Sequence, residues 1–396
     1  MNTASSVSPQ VSGRGLRLVV TGGGTGGHTY PALTTVRTVQ ARVGAGMLDV
    51  LWVGAADGLE ERVAESEGIR FAAVATGKIR RAANPLRMVS PANMRDMGRV
   101  PLGVAQARSI IAAHRPDVVL ATGGYVAVPV GLAAWMCRRP LVVHEQTVRL
   151  GLANRTLARV AARVAVSSPS TLELLPPASR ATAVVTGNPV RPNLLAGDPC
   201  RAVEALGLRG FDPRRPTVYV TGGAQGSQQI NSLVVEILPW LLQQANVVHQ
   251  CGPGNLELLR RQTARLPVEA AGRYFLTGYM GGELPDVLAL ADVVISRSGA
   301  GTIAELTALG KAAVLIPLAS SAGNEQAHNA RHLADAGAAV ALLGEVSAAD
   351  VQAAVTPLLT DPGRRAAMAA RARDHGRPDA AERLADVVLE AAHDSL

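Results

Sequence analysis

The chain has 396 residues, 48% hydrophobic but only 3% aromatic, so it exceeds the usual reach of one core and must build its interiors from Ala, Val and Leu. Its three cysteines, Cys137, Cys200 and Cys251, have no CxxC spacing and argue against a disulfide framework or a zinc site. The net charge of +8 is uneven: residues 1–191 hold 22 Lys+Arg against 10 Asp+Glu, and residues 192–396 hold 17 against 21, which points to an anionic partner for the N-terminal half.

Met1 to Gly15 are polar and small, without the apolar stretch of a signal peptide. The apolar run Leu16–Thr21 then reads as a strand and leads into Gly22-Gly23-Gly24-Thr25-Gly26-Gly27-His28. Glycines at a strand-to-helix turn let backbone N–H groups approach an anion, and the helix N-terminus adds partial positive charge. Further buried parallel strands are expected at Leu48–Val53, Asp117–Ala121, Leu141–His144 and Ala183–Thr186, with crossover helices at Pro31–Ala45 and Pro101–His114. The uncharged run Gly123–Cys137 is too short to span a bilayer.

The Pro-rich stretch Gly187-Asn188-Pro189-Val190-Arg191-Pro192 reads as a linker. Beyond it the pattern repeats: Pro216–Thr221 runs into Gly222-Gly223-Ala224-Gln225-Gly226-Ser227, followed by a helix at Ser227–Gln244. Strands are expected at Val247–Gln250, Val293–Ser296, Ala313–Pro317 and Ala338–Leu343. Two glycine loops at matching positions predict two doubly wound α/β domains facing each other across a cleft. The boundaries fall at residues 1–188 and 189–378, and an amphipathic helix within 379–396 crosses back to the first domain.

Gly22, Gly24 and Gly27 satisfy G-x-G-x-x-G, but the second strand ends in Gly54 with no acid to bind a ribose, which argues against a dinucleotide enzyme. Neither loop ends in the Lys-Ser/Thr of a P-loop. His28 could take a proton from a hydroxyl nucleophile, or merely cap or pack the helix. Arg297-Ser298-Gly299-Ala300-Gly301-Thr302-Ile303-Ala304-Glu305 is a third small-residue turn suited to a diphosphate. Thr302-x-x-Glu305 also fits a capping box, although Glu305 could instead accept bonds from a ribose diol. No Asp-x-Asp occurs, so helix N-termini, backbone N–H groups and Arg191 would have to meet diphosphate charge without a metal or other cofactor.

Together with Gly123-Gly124-Tyr125, His144-Glu145-Gln146, Gly187–Arg191 and Asn324-Glu325-Gln326, these segments resemble the MurG family, the peripheral UDP-N-acetylglucosamine (UDP-GlcNAc) transferases of peptidoglycan synthesis. The resemblance spans residues 16–392 in order. It implies a GT-B fold and an inverting transfer of GlcNAc from UDP-GlcNAc to the 4-hydroxyl of the muramyl sugar of lipid I, giving lipid II. It places Met280 at the uracil, Glu305 at the ribose, Arg191 with Ala300, Gly301 and Thr302 at the diphosphate, and Gln326 at the sugar hydroxyls. Ala224, Gln225 and Gly226 of the second loop join that donor set. Thr25, Gly26 and Gly27, grouped with the donor residues, meet the acceptor diphosphate together with His28, while Tyr125 belongs to the acceptor side.

His28 is the implied base and Glu145 its reserve, with a structural role, bonding loop backbone near Tyr125, as the alternative for Glu145. Two positions depart from the family pattern. Ala224 stands where a serine is usual, and Thr147 where the Asn of His-Glu-Gln-Asn would approach the donor sugar, with Asn154 a partial substitute.

A diacylglycerol glycosyltransferase and a UDP-GlcNAc 2-epimerase share the fold and are the rival enzymes. A nucleic-acid-binding protein would explain the charge but not the scarcity of aromatics for base stacking. The implied location is the cytoplasmic face of the cell membrane. There, residues 78–99 would meet an anionic leaflet through Lys78, Arg80, Arg81, Arg87, Arg95 and Arg99, interleaved with Ile79, Leu86, Met88, Val89, Met94 and Met97.

Overall fold

The structure is a computed structural model that describes residues 15–77 and 91–394. The chain divides into two compact units. One comprises Met1–Gln146, Leu150–Thr186 and Ala381–Leu396; the other comprises Thr147–Arg149 and Gly187–Ala380. The short segment Thr147–Arg149 thus belongs to the second unit, although the sequence reading keeps it in the first.

The first unit is built on seven parallel strands: β1 (Leu16–Thr21), β2 (Leu48–Gly54), β3 (Arg70–Ala73), β4 (Val118–Ala121), β5 (Leu141–Glu145), β6 (Arg163–Val166) and β7 (Ala183–Val185). Their order is β3-β2-β1-β4-β5-β6-β7. The second has β8 (Thr217–Thr221), β9 (Asn246–Gln250), β10 (Tyr274–Thr277), β11 (Val293–Ser296), β12 (Ala312–Leu315) and β13 (Val340–Ala341), in the order β10-β9-β8-β11-β12-β13. Both sheets therefore repeat the Rossmann pattern in which the chain starts in the middle, winds out one way, then returns and winds out the other. The reversal falls between β1 and β4 in one unit and between β8 and β11 in the other, where Val19 lies opposite both Leu51 and Val119, and Val294 opposite Tyr219 and Ala313.

Three strands are absent from the sequence reading. β3 and β10 are half-exposed edge strands, Arg-Phe-Ala-Ala and Tyr-Phe-Leu-Thr, without the continuous buried run that marks a central strand. β6, Arg-Val-Ala-Val, is buried but only four residues long and opens on a charge.

Two prolines that read as helix starts are interior instead. Helix Gly26–Val43 begins five residues before Pro31, and helix Pro91–His114 begins ten before Pro101. Proline favours the first helical position, but here the preceding residues already follow helical geometry.

The C-terminal helix Ala380–His393 packs on the first unit. Leu384, Ala385, Val388 and Leu389 join a core with Leu18, Val20, Val36 and Trp52. On its outer face Arg42 pairs with Glu382 at 2.6 Å and with Asp386. Those pairs are largely solvent-exposed, worth under about 1 kcal/mol each. Each fully buried aliphatic side chain contributes about 1.5–3 kcal/mol, so the apolar face holds this helix in place.

In the second unit His249 is fully buried between Asn231 and Tyr274. Asn231 Nδ2 donates to Cys251 O at 2.9 Å, leaving its Oδ1 to accept from His249 Nε2 at 3.0 Å, while Tyr274 OH lies 3.0 Å from Nδ1. Burial drives the imidazole down to about 3 from the ordinary 6.5. The folded state refuses a proton that the unfolded chain accepts below pH 6.5. Stability is therefore complete above that value and is lost as pH falls from 6.5 towards 3. The slope is about 1.4 kcal/mol per pH unit once the unfolded imidazole is charged. Calorimetric melting between pH 7 and pH 5 should show this loss, and His249→Gln should flatten the slope even though its melting temperature starts lower.

Candidate active site

In open parallel sheets ligands bind at the carboxyl ends of strands where the strand order reverses. In the first unit the turns that follow β1 and β4 meet at that point. Thr122 Oγ1 donates to His28 O at 2.9 Å, and Gly23 N–H donates to Gly123 O at 3.4 Å. A side chain has no room at Gly22, where an added Cβ would lie 1.8 Å from Thr122 Oγ1. Gly123, at φ +106°, would place one 3.1 Å from the His28 ring. These glycines are a packing requirement of the two turns.

His28 Nδ1 lies 3.0 Å from both Thr122 O and Gln146 Oε1. Gln146 Nε2 donates to His144 O at 2.9 Å, which turns its Oε1 towards His28. Both neighbours of Nδ1 are then acceptors, so Nδ1 carries the ring hydrogen and the neutral imidazole keeps its lone pair on Nε2. The histidine is half-buried and oriented as a proton acceptor. Helix Gly26–Val43 has Thr25 as its N-cap with no side-chain cap, and the N–H groups of Gly26 and Gly27 carry no bond among the described residues. Gly24 N–H, by contrast, is taken by Glu60 Oε2 at 3.1 Å. Tyr125 is half-buried beside Gly24, and burial with the nearby Glu60 charge pushes its phenol up.

Glu145 is buried, and its Oε2 accepts from Gly151 N–H at 2.8 Å and Asn154 Nδ2 at 3.0 Å. Through Oε2 it thus bonds loop backbone at Gly151, where the sequence reading expects backbone near Tyr125. Asn154 also donates to His144 O at 3.1 Å, and its Oδ1 is buried without a partner among the described residues. Thr147 Oγ1 donates to Arg149 O within its own turn.

In the second unit the turns after β8 and β11 meet in the same way. Ser227 Oγ caps helix Gln228–Gln244 through Ile230 N–H at 3.3 Å and accepts from Arg297 Nη2 at 3.0 Å. Gly226 N–H is taken by Gly223 O at 2.9 Å, so of the expected trio only Ala224 and Gln225 keep N–H groups without partners among the described residues.

Gly299 is the N-cap of helix Ala300–Leu309 and no side chain caps it, leaving the N–H groups of Ala300, Gly301 and Thr302 without partners among the described residues. The capping box Thr302–Glu305 is not formed. Glu305 Oε1 instead accepts from Arg191 Nη2 at 3.1 Å, whereas Ser347 and Asp350 do form such a box elsewhere. Burial raises the Glu305 carboxyl above its ordinary range, and Arg191 opposes that rise.

Gln326 Oε1 accepts from Leu318 N–H at 2.9 Å, and its backbone carbonyl accepts from Ser298 Oγ at 2.7 Å, which leaves its Nε2 without a partner among the described residues. The Met280 backbone makes no hydrogen bond among the described residues.

Two further residues beside the candidate site have no role in the sequence reading. Arg297 stands inside a quoted motif yet has no role there. It is half-buried, burial lowers its pKa, and it has no carboxylate partner among the described residues. Gln146 is likewise quoted but unassigned, because only the fold reveals that it orients His28. The residues expected at a membrane surface, Lys78, Arg80, Arg81 and Arg87, lie outside the described residues, as does the side chain of Arg95.

Comparison with known proteins defines the class first. The glycosyltransferase family 28 N-terminal domain matches residues 18–166 and the family 28 C-terminal domain residues 217–384, so the chain carries the two domains of a GT-B glycosyltransferase. The UDP-N-acetylglucosamine–N-acetylmuramyl-(pentapeptide) pyrophosphoryl-undecaprenol N-acetylglucosamine transferase of Treponema pallidum (strain Nichols) is 37% identical over 326 residues, 82% of each chain. That of Desulforudis audaxviator is 35% identical over 387 residues, 95% of this chain and 99% of the relative. The crystal structure of Acinetobacter baumannii MurG superposes with a TM-score of 0.70 at 26% identity, covering 95% of this chain and 99% of that one. The chain belongs to the MurG family.

Proposed function

We propose that this chain transfers GlcNAc from UDP-GlcNAc to the 4-hydroxyl of the muramyl sugar of lipid I, with inversion, to give lipid II. The observation that carries the chemistry is the orientation of His28, whose Nδ1 faces two acceptors and whose Nε2 is left to take the acceptor proton. Gln146 acts as the orienting third group. Gly26 and Gly27 N–H groups at the uncapped helix end meet the acceptor diphosphate, with Thr25 as the N-cap.

In the second unit Ala300–Thr302 N–H groups, Arg191 and Arg297 take the donor diphosphate, whose charge in the leaving UDP grows as the glycosidic bond breaks. Glu305 holds the ribose, Met280 the uracil and Gln326 the sugar. Glu145 and Asn154 brace the loop that carries Gln146.

Radiolabel transfer from UDP-GlcNAc to a polyprenyl-diphosphate-MurNAc-pentapeptide tests this reading. Label appearing on diacylglycerol instead, or UDP-ManNAc forming without an acceptor, would overturn it. Sequence relatives at 33–37% identity that bear the transferase name support the first outcome over the epimerase.

We also propose peripheral attachment to an anionic membrane surface, with no nucleic-acid partner. The basic N-terminal half supports it, and no helix among the described residues is long and apolar enough to cross a membrane. Sedimentation with anionic liposomes should therefore weaken as salt shortens the Debye length. Changing Arg80, Arg81, Arg87 and Arg95 together to Ser should remove most of the binding. Salt-independent sedimentation, or equal binding by the variant, would end the proposal.

A further inference from the structure

Glu60 sits in Leu59-Glu60-Glu61-Arg62, which reads as the solvated first turn of a surface helix, Leu59–Ser66. The structure buries it completely. A carboxylate is costly to bury unless each oxygen finds a donor. Here both do, and both donors are backbone: Gly24 N–H reaches Oε2 at 3.1 Å and Ala55 N–H reaches Oε1 at 3.2 Å.

The space around it is cleared by glycine. An added Cβ would lie 2.2 Å from the carboxyl at Gly23, 2.7 Å at Gly58, and 2.8 Å from its Cγ at Gly54. On the other side the first glycine loop is backed by the turn after β4. A Cβ at Gly124 would lie 2.3 Å from Gly23 O, and one at Gly24, at φ +81°, would lie 2.9 Å from the Tyr125 ring. The loop is thus held between one buried carboxylate and one glycine turn: Glu60 accepts from a loop N–H, while Thr29 Oγ1 and Thr122 Oγ1 donate to the carbonyls of Thr25 and His28.

We propose that Glu60 is a positioning residue for the acceptor half of the reaction: its carboxylate fixes the first glycine loop so that the Gly26 and Gly27 N–H groups and His28 stand in register for the acceptor. The proposal rests on assigning this loop to the acceptor. An acceptor-only group is required because both partners are N–H donors. Glu60→Gln keeps the size but turns an NH2 towards one of them, and that bond is lost.

The test is steady-state kinetics on Glu60→Gln and Glu60→Asp, with both substrates varied, alongside thermal melting. Glu60→Gln should lower kcat/KM for the lipid acceptor by about 10-fold or more, with the KM for UDP-GlcNAc within about twofold of wild type and the melting temperature nearly kept. Glu60→Asp retains two acceptor oxygens and should recover part of the loss. If Glu60→Gln fails to fold, Gly58→Ala displaces the same carboxyl from outside the loop and should give the same acceptor-specific loss. A loss confined to the folded fraction, with both KM values and kcat per folded molecule unchanged, would overturn the positioning role. A rise in the donor KM with acceptor kinetics intact would instead overturn the assignment of this loop to the acceptor, while still showing that Glu60 sets the loop.

Discussion

Replacing His28 with alanine is expected to lower kcat by about 10²–10⁴-fold while UDP-GlcNAc binding stays near that of the native protein. The expectation follows from the hydrogen-bond pattern. Thr122 O and Gln146 Oε1 can only accept, so the ring hydrogen is committed to Nδ1 and the lone pair to Nε2. A histidine that merely packed the helix would not need a side chain turned towards it by its own bond to His144 O. Gln146→Ala should cost less than His28→Ala, because the imidazole keeps Thr122 O as a partner and loses only part of its orientation. The double variant should be scarcely worse than His28→Ala alone, since an orienting group has nothing left to orient. Equilibrium binding of UDP-GlcNAc by calorimetry, beside single-turnover transfer, separates chemistry from binding. A kcat for His28→Ala within a few-fold of native would remove the residue from the proton transfer.

The sequence made the fold class legible because buried parallel strands announce themselves as apolar runs, and β1, β4, β8 and β11 are such runs ending in glycine turns. The edge strands β3 and β10 were illegible for the converse reason: half-exposed, they carry no continuous apolar stretch. Within the candidate site, residue type and spacing single out the glycine turns, His28 and Glu305 as candidates. What could not be read was partnership. Glu60 looks like an ordinary exposed helix glutamate until the fold places it under Gly24. Gln146 looks like one member of a polar triplet until its amide meets a ring 118 residues away. The capping box at Thr302–Glu305 failed for the same reason, because the helix starts at Ala300 and Arg191 lies within reach of the carboxylate.

Changing Glu305 to alanine should raise the KM for UDP-GlcNAc by about 10- to 100-fold, because a hydrogen bond from a ribose diol to a charged carboxylate is worth roughly 1.5–3 kcal/mol. Stability should change little. The side chain does not cap its helix, and its ion pair with Arg191 is partly solvent-exposed, 39% on the arginine side and 24% on the glutamate, so solvent screens it to under about 1 kcal/mol. Burial, opposed by that pair, sets the pH behaviour. Burial lifts the Glu305 carboxyl above the ordinary glutamate range, with Arg191 holding it back, so the group gains its proton at a higher pH than an exposed glutamate does. Donor affinity that depends on the ionised form should therefore begin to weaken earlier on acidification than a normal carboxylate would allow. Glu305→Gln, which accepts a bond but does not titrate, should bind more weakly at neutral pH and show none of that acid-side weakening. Arg191→Ala supplies the control: it removes the restraint, so the acid-side weakening should move to higher pH. The measurement is the KM for UDP-GlcNAc against pH in native protein and the three variants, with melting temperatures alongside. A native KM in Glu305→Ala together with a lower melting temperature would assign the residue to the ion pair alone and take it away from the ribose.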